Sequence, residues 1–175
     1  IKASGGTGKT TIVKKVAYEL YNRGYYKNGV SFSSCENIKN YEDFEELIIQ
    51  SFKLSNILDF KNYLTENYSI NKLDLLIILD NFETVTSTFE HSDITKTLEL
   101  LRFSSDFASL VTTSREKISN NNDFEDVFSL TPLITDDALT LFQNYYGKVK
   151  NEDEIRILRQ EILEDLLNNN PLAIK

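Results

Sequence analysis

A glycine-rich stretch at the start of the sequence constrains the fold more than any other feature. Residues 3–10 read Ala-Ser-Gly-Gly-Thr-Gly-Lys-Thr, which fits the phosphate-binding loop pattern of a small residue, four variable positions and then Gly-Lys-Thr. Such a loop opens an amphipathic helix, and the sequence predicts one that ends at Arg23-Gly24. The inward face of this helix should carry Val13, Val16, Ala17 and Leu20. The competing interpretation is a glycine-rich turn before an ordinary helix.

The residue types of the loop suit a nucleoside triphosphate. Glycines allow positive φ and let successive backbone N–H groups converge on an anion. Lys9 supplies a compact positive charge for the β and γ phosphates, Thr10 supplies a hydroxyl for Mg²⁺, and the helix adds the positive end of its dipole. The candidate nucleotide-binding residues of the loop are therefore Gly5, Gly6, Thr7, Gly8, Lys9 and Thr10.

An apolar run that ends in a carboxylate marks a buried strand. Residues 73–80 read Leu-Asp-Leu-Leu-Ile-Ile-Leu-Asp, as expected for a parallel strand covered by helices on both faces. The carboxyl ends of such strands are where ligands bind in open α/β sheets. Asp80 is therefore predicted to hold the Mg²⁺ of a bound nucleotide, directly or through water. The alternative is an aspartate that caps the next turn.

A second strand tip carries an arginine. Residues 107–115 predict a fourth strand that ends in Thr-Ser-Arg, and Arg115 at this tip is a candidate contact for the γ-phosphate. An ordinary surface arginine is the alternative.

The remaining pattern predicts an α/β protein followed by helices alone. Strands are expected at the loop, at 29–34 and at 127–130, with helices at 41–52, 57–68 and 94–103 and a loop at 118–126. Beyond Pro132 only helices are expected, at 135–147 and 152–167. We therefore expect a phosphate-loop domain over residues 1–131, with its first strand truncated, and the beginning of a helical domain over 132–175.

Composition narrows the function classes. A formal net charge of −8 argues against a general nucleic-acid binder, although four lysines and no acid occur around the loop before Glu19: Lys2, Lys9, Lys14 and Lys15. No stretch is long and apolar enough to span a bilayer, so no membrane association is expected. The single cysteine, Cys35, excludes an internal disulfide and indicates a reducing, cytoplasmic setting.

Isolated residues add little chemistry. Cys35 is interpreted as a small buried residue and not as a catalytic thiol, and His91 as a solvated loop residue and not as a metal ligand. Because the sequence contains no methionine, Ile1 is not expected to be a natural start. We therefore expect flanking domains in the same chain.

Five motifs occur in an order typical of one family. They are Ser4-Gly5-Gly6-Thr7-Gly8-Lys9-Thr10-Thr11, Leu76-Ile77-Ile78-Leu79-Asp80-Asn81-Phe82-Glu83, Val111-Thr112-Thr113-Ser114-Arg115, Leu130-Thr131-Pro132-Leu133 and Asn170-Pro171-Leu172-Ala173. This set resembles the NB-ARC ATPases of the STAND class, the nucleotide switches of apoptotic adaptors, plant resistance proteins and bacterial regulators. The resemblance implies a P-loop NTPase fold with a five-stranded parallel sheet of order 5-1-4-3-2, then a small helical domain, with ATP or ADP held between the two.

The same resemblance implies further roles and shows two departures. It places Thr11 at the α-phosphate, Arg115 at the γ-phosphate as a sensor, and Pro171 at the base or sugar. Where the family often has a second acid after the metal-binding aspartate, this sequence has Asn81. The pair Asn169-Asn170 replaces the usual glycine before the helical-domain proline, and asparagine tolerates left-handed backbone better than most residues.

The function that the resemblance implies is an ATP/ADP switch with Mg²⁺-dependent hydrolysis, which forms a homo-oligomer when ATP is bound. Hydrolysis should be slow because the amide of Asn81 cannot accept a proton from water, and Glu83 is the one nearby carboxylate that could substitute. Two alternatives stay open: a module permanently bound to ADP, and an AAA+-like ATPase associated with DNA. Nucleic acid is not indicated by the sequence itself.

Overall fold

The computed structural model describes residues 1–66, 74–118 and 125–175. Three parallel strands are formed within these residues: β1 (Gly29–Ser34), β2 (Leu75–Asp80) and β3 (Ser109–Thr112). The helices are α1 (Lys9–Asn22), α2 (Tyr41–Phe52), α3 (Ile57–Glu66), α4 (Glu83–Thr88), α5 (His91–Phe107), α6 (Thr135–Tyr146), α7 (Glu152–Ile157), a π-helical segment (Leu158–Leu166) and α8 (Pro171–Ile174). The chain divides into two compact units: Ile1–Lys2 with Thr10–Phe128, and Ala3–Lys9 with Ser129–Lys175.

The first unit is a parallel sheet with flanking helices, as expected for an α/β fold. The strand order is β1-β2-β3, with Ser34 beside Asp80 and Leu79 beside Thr112. All six residues of β2 are buried, which explains why its sequence shows no alternation. The predicted strand began at residue 73, and residues 67–73 lie outside those described.

The sheet of the described residues has three strands and not the five that we expected. At the place of the first strand, Lys2 forms one parallel bridge with Ser114, and its N–H donates to the Phe128 carbonyl at 2.8 Å. Pro132, which has no N–H to donate to a neighbouring strand, follows residues 127–130 closely. The Ser114 N–H also donates to the Ile1 carbonyl at 2.9 Å, so the two outer segments contribute a few backbone hydrogen bonds and one isolated bridge in place of strands.

Helices pack on both faces of this sheet. The larger core contains the fully buried rings of Phe44, Phe60 and Phe82. The smaller core joins α1 to β2 through two of the predicted inward residues, Val13 and Ala17. The prediction for Val16 was wrong, since its side chain is 50% exposed. Positions 13 and 17, four residues apart on a helix, define a stripe too narrow to include it.

Some element boundaries also differ from the sequence prediction. Phe107 belongs to the last turn of α5 and not to the following strand. Its ring packs against Phe103, four residues earlier, with centroids 5.0 Å apart, a pairing that favours helix. His91 is exposed as predicted, but it begins α5 and does not lie in a loop. Most of the predicted loop at 118–126 lies outside the described residues, and so does the end of the helix predicted at 57–68.

The second unit combines the phosphate loop with the helices after residue 128. Its core contains Ala138, Leu158, Leu163 and Ile174. Asn151 caps α7 by accepting from the Asp153 N–H at 2.9 Å. The turn before α8 uses left-handed backbone at Asn168 and Asn169, with φ of 48° and 50°. No helix among the described residues is long and apolar enough to cross a bilayer.

Candidate nucleotide-binding site

The loop of residues 3–9 has positive φ at two of the three glycines for which the sequence predicted it, and Gly5 is the exception. Gly6 and Gly8 have φ of 77° and 95°, a region that other residues enter only with strain. The Thr7 hydroxyl donates to the Ser4 carbonyl at 2.8 Å and lies 2.9 Å from the Ser4 hydroxyl. These contacts close the loop on itself and bury Thr7, which is 7% exposed.

Lys9 is held beside the loop by backbone oxygens. Its Nζ donates to the carbonyls of Ala3 at 2.8 Å and Ser4 at 3.1 Å, and the residue is 8% exposed. These two carbonyl oxygens accept from two of the three ammonium donors but do not neutralise the charge of the group. No carboxylate of the described residues forms an ion pair with Lys9, so a buried positive charge lies next to a loop with positive φ, an arrangement that suits an anionic ligand.

Three polar side chains meet at the carboxyl end of the sheet in the first unit. Both oxygens of Asp80 accept from the Thr10 hydroxyl, at 2.9 and 2.8 Å, and the Thr113 hydroxyl also donates to Asp80. Asp80 is 4% exposed and Thr113 is fully buried. The motif threonine and the strand-end aspartate, which are 70 residues apart in sequence, therefore lie in hydrogen-bond contact.

This cluster fits a magnesium ion by the chemistry of its donors. One carboxylate and two hydroxyls are hard oxygen donors, and Mg²⁺ in nucleotide sites commonly takes one or two carboxylates together with phosphate and water oxygens. Among the described residues there is no group of three or more His, Cys, Asp or Glu side chains that would form an all-protein metal site. Thr10 and Asp80 are thus suited to a metal that is shared with a ligand.

Asn81 and Glu83 follow Asp80 in a tight turn. Asn81 has a left-handed φ of 57°, and its N–H donates to the Thr113 hydroxyl at 3.1 Å. Glu83 begins α4, where one of its oxygens accepts from Arg115 Nε at 3.1 Å. Its other oxygen, Oε2, is buried with no hydrogen-bond partner among the described residues. Asparagine suits position 81 because it tolerates left-handed backbone better than most residues. Glu83 keeps one carboxylate oxygen, Oε2, that could still accept a hydrogen bond.

Arg115 is paired differently from the sequence-based expectation. Its side chain is 67% exposed and is bound to Glu83, which is 22% exposed. The sequence suggested a phosphate sensor and, separately, a substitute base, and the structure joins these two residues in one ion pair. An ion pair this exposed contributes only about 0–1 kcal/mol, so it leaves Arg115 free to exchange partners.

The two residues assigned by family resemblance alone occupy the ends of helices. Thr11 lies exposed in the first turn of α1, and Pro171 is the half-buried first residue of α8. Their side chains are accessible to a ligand, and their roles stay predictions.

The sequence interpretation missed Thr113. It directly follows β3, the strand next to β2, and it is a polar residue that is 0% exposed. A hydroxyl at the end of an apolar strand is the signal that could have identified it, because buried polar groups need partners.

Cys35 is a buried thiol beneath this cluster. Its N–H donates to the Asp80 carbonyl at 2.8 Å, and the residue is 0% exposed. Burial, with smaller contributions from the charges of Asp80 and Glu83, raises the pKa of the thiol from 9.0 to about 12. The thiol therefore stays protonated at neutral pH, which agrees with a packing role.

The fold resembles that of solved structures of the replication initiator DnaA and of Cdc6p. No family model matches the sequence, and no curated protein matches it. Replication initiator DnaA bound to AMPPCP and single-stranded DNA matches with a TM-score of 0.54 and 18% identity over 90% of this chain and 48% of that one. Cdc6p from Pyrobaculum aerophilum matches with a TM-score of 0.61 and 16% identity over 99% of this chain and 51% of that one.

AMPPCP-bound DnaA from Aquifex aeolicus matches with a TM-score of 0.55 and 17% identity over 98% of this chain and 56% of that one. This chain thus spans about half the length of the solved structures it matches. At such identities the likeness concerns the fold. The chain has the α/β fold of these proteins, with a parallel sheet and flanking helices.

Proposed function

We propose that this chain is the nucleotide-binding module of a multidomain ATP/ADP switch of the STAND class. In this proposal residues 1–131 form the phosphate-loop domain, residues 132–175 begin a helical domain, and exchange of ADP for ATP controls oligomerisation. The flanking domains of the same chain supply the signal and the output.

The contact between Thr10 and Asp80 carries the proposal. A glycine-rich turn before an ordinary helix has no reason to bring its threonine to a buried carboxylate at a strand end. A metal-nucleotide site explains this contact, because the Thr10 hydroxyl and the Asp80 carboxylate would bind the same ion. The fold likeness supports adenine nucleotide as the ligand, since two of the matching structures hold AMPPCP, an ATP analogue.

Each side chain has one task in this proposal. The loop N–H groups and Lys9 bind the β and γ phosphates, and Thr10 and Asp80 hold Mg²⁺, which neutralises phosphate charge when bound. Thr113 orients the Asp80 carboxylate by donating to it. Arg115 leaves Glu83 and contacts the γ-phosphate, while Thr11 and Pro171 serve the α-phosphate and the base or sugar.

Hydrolysis is proposed to be slow. The residue after Asp80 is an amide, which can orient a water molecule but cannot take its proton. Glu83, three residues further on, is the one nearby carboxylate that could replace it, and it would act only through an intervening water. A switch that holds ATP for a long time needs this combination of firm binding and weak proton transfer.

The first experiment is titration calorimetry with ATP and ADP, each with and without Mg²⁺. We expect Mg²⁺-dependent binding by the wild type, and at least about tenfold weaker binding by Lys9→Ala, which removes a charge-assisted contact. Asp80→Asn should lose most of the Mg²⁺ dependence. Lys14→Ala is the matched control, because Lys14 is an exposed lysine of the same helix whose Nζ lies 4.3 Å from the Phe32 ring centroid. Absence of nucleotide binding, or equal binding by Lys9→Ala, would refute the proposal.

The switch itself needs a separate measurement. Light scattering of the purified protein should show a larger assembly with ATP than with ADP. If ADP cannot be removed and no turnover is seen, the module is locked to ADP, which is the alternative that Asn81 favours.

The fold likeness favours a second candidate, an ATPase associated with DNA, because one matching structure is DnaA bound to single-stranded DNA. The net charge of −8 speaks against it, since phosphate contacts dominate DNA affinity. ATP turnover stimulated severalfold by single-stranded DNA would establish this candidate in place of the switch.

A further inference from the structure

Two consecutive carbonyls of the phosphate loop are held by the segment before and within α8. Asn170 Nδ2 donates to the Gly5 carbonyl at 2.9 Å, and the Leu172 N–H donates to the Gly6 carbonyl at 3.2 Å. Loop and segment belong to the same compact unit although 165 residues separate Gly5 from Asn170. These contacts occupy carbonyls, which a phosphate cannot use.

The fit at Gly6 is close enough to exclude any side chain there. A Cβ on Gly6 would lie 2.6 Å from Asn170 Oδ1 and 2.8 Å from Leu172 Cβ, both well inside van der Waals contact. Gly6 also has a φ of +77°. Glycine at this position is therefore required for two independent reasons, its backbone angle and the approach of Asn170.

The contacts of the Gly5 and Gly6 carbonyls also fix the direction of the N–H groups of Gly6 and Thr7. Every described peptide bond is trans, and in a trans peptide the C=O and the next N–H point in opposite directions. With the Gly5 and Gly6 carbonyls turned toward the segment, the N–H groups of Gly6 and Thr7 point away from it. N–H groups from successive residues that point the same way form an anion-binding concavity.

We propose that Asn170 is a positioning residue of the phosphate loop, which holds the Gly6 and Thr7 donors in the orientation that binds nucleotide phosphates. This inference rests on the proposed nucleotide-binding function and identifies a residue outside the loop motif that sets its affinity. Preorganised donors bind an anion more tightly than donors that must first be ordered.

The asparagine amide uses both of its ends. Its Oδ1 accepts from the Leu172 N–H at 3.0 Å, which caps α8, while its Nδ2 donates to Gly5. Serine retains a capping oxygen but is too short to donate to Gly5. Asn170→Ser therefore separates the loop contact from the cap.

The test compares Asn170→Ser with Asn151→Ser by calorimetry with MgADP and by thermal unfolding. Asn151 is the matched control, since it caps α7 in the same way through the Asp153 N–H and, within the described part of the chain, forms no hydrogen bond to the phosphate loop. We expect similar thermal midpoints for the two variants. MgADP should bind about 3- to 15-fold more weakly to Asn170→Ser, the effect of losing one hydrogen bond, and within twofold of wild type to Asn151→Ser.

A second readout is independent of nucleotide. The NMR order parameters of the Gly6 and Thr7 N–H vectors in nucleotide-free protein should fall from about 0.85 in the wild type toward about 0.6 in Asn170→Ser. Unchanged order parameters, or equal MgADP affinity in Asn170→Ser and wild type, would overturn the positioning role. Wild-type protein that does not bind nucleotide would instead refute the proposed function, and the order parameters would still decide whether Asn170 orders the loop.

Discussion

Thr113 should contribute more to stability than any other hydroxyl of the site. It is fully buried, its Oγ1 donates to Asp80, and the same oxygen accepts from the Asn81 N–H at 3.1 Å. Thr113→Val keeps the shape of the side chain and removes both hydrogen bonds. The buried carboxylate then loses one donor and the Asn81 N–H loses its acceptor.

The size of the effect follows from these two losses. The lost hydrogen bond to the charged Asp80 carboxylate contributes about 1.5–3 kcal/mol. The Asn81 N–H, left without its acceptor, adds about 1 kcal/mol, because Asn81 is half-buried and water can reach it in part. We therefore expect Thr113→Val to lower the free energy of unfolding by about 2.5–4 kcal/mol. In a protein of this size that corresponds to a loss of roughly 5–15 °C in thermal midpoint.

Denaturant and thermal unfolding of two further variants make the test selective. Thr113→Ser keeps the hydroxyl and loses one methyl group, at a cost of about 1 kcal/mol. Thr112→Val changes the half-buried neighbour in β3, for which we expect little loss. If Thr113→Ser proves less stable than Thr113→Val, packing and not hydrogen bonding holds this position, and our reasoning is wrong.

Three further predictions test the hydrolysis, the buried thiol and the helix face. Asn81→Asp should raise the single-turnover rate of ATP hydrolysis by about 10²–10³-fold, because a carboxylate can accept the proton of the attacking water. Nucleotide affinity should change little, since aspartate also tolerates the left-handed backbone at this position. If Glu83→Gln instead abolishes a fast wild-type rate, Glu83 is the base. The Cys35 thiol has a pKa of about 12 in the folded state and near 9.0 in the unfolded state. The free energy of unfolding should therefore fall by roughly 1.4 kcal/mol per pH unit between these two values. Cys35→Ala should remove this part of the pH dependence when unfolding is measured as a function of pH. Val16→Lys should leave the thermal midpoint nearly unchanged while Ala17→Lys lowers it strongly, since Val16 is 50% exposed and Ala17 is 5% exposed.

Local patterns identified the elements that carry the site. Gly6 and Gly8 predicted positive φ, and the apolar run before Asp80 predicted a strand buried on both faces; both are found. These features are readable from sequence because they depend on a few consecutive residues. The boundary at Phe107 could not be read in this way. The contact between the Phe103 and Phe107 rings favours helix there, although phenylalanine also has a high strand propensity.

The phosphate-loop motif, the acid at a buried strand end and the α/β pattern are all visible in the sequence. The contacts between distant side chains are visible only in the folded structure: Thr113 with Asp80, Arg115 with Glu83, and Asn170 with Gly5 across 165 residues. A motif can be read from the sequence because each of its residues suits the backbone conformation and the charge needed at its own position. The partner of a side chain depends instead on how distant segments pack, and no local period records that packing.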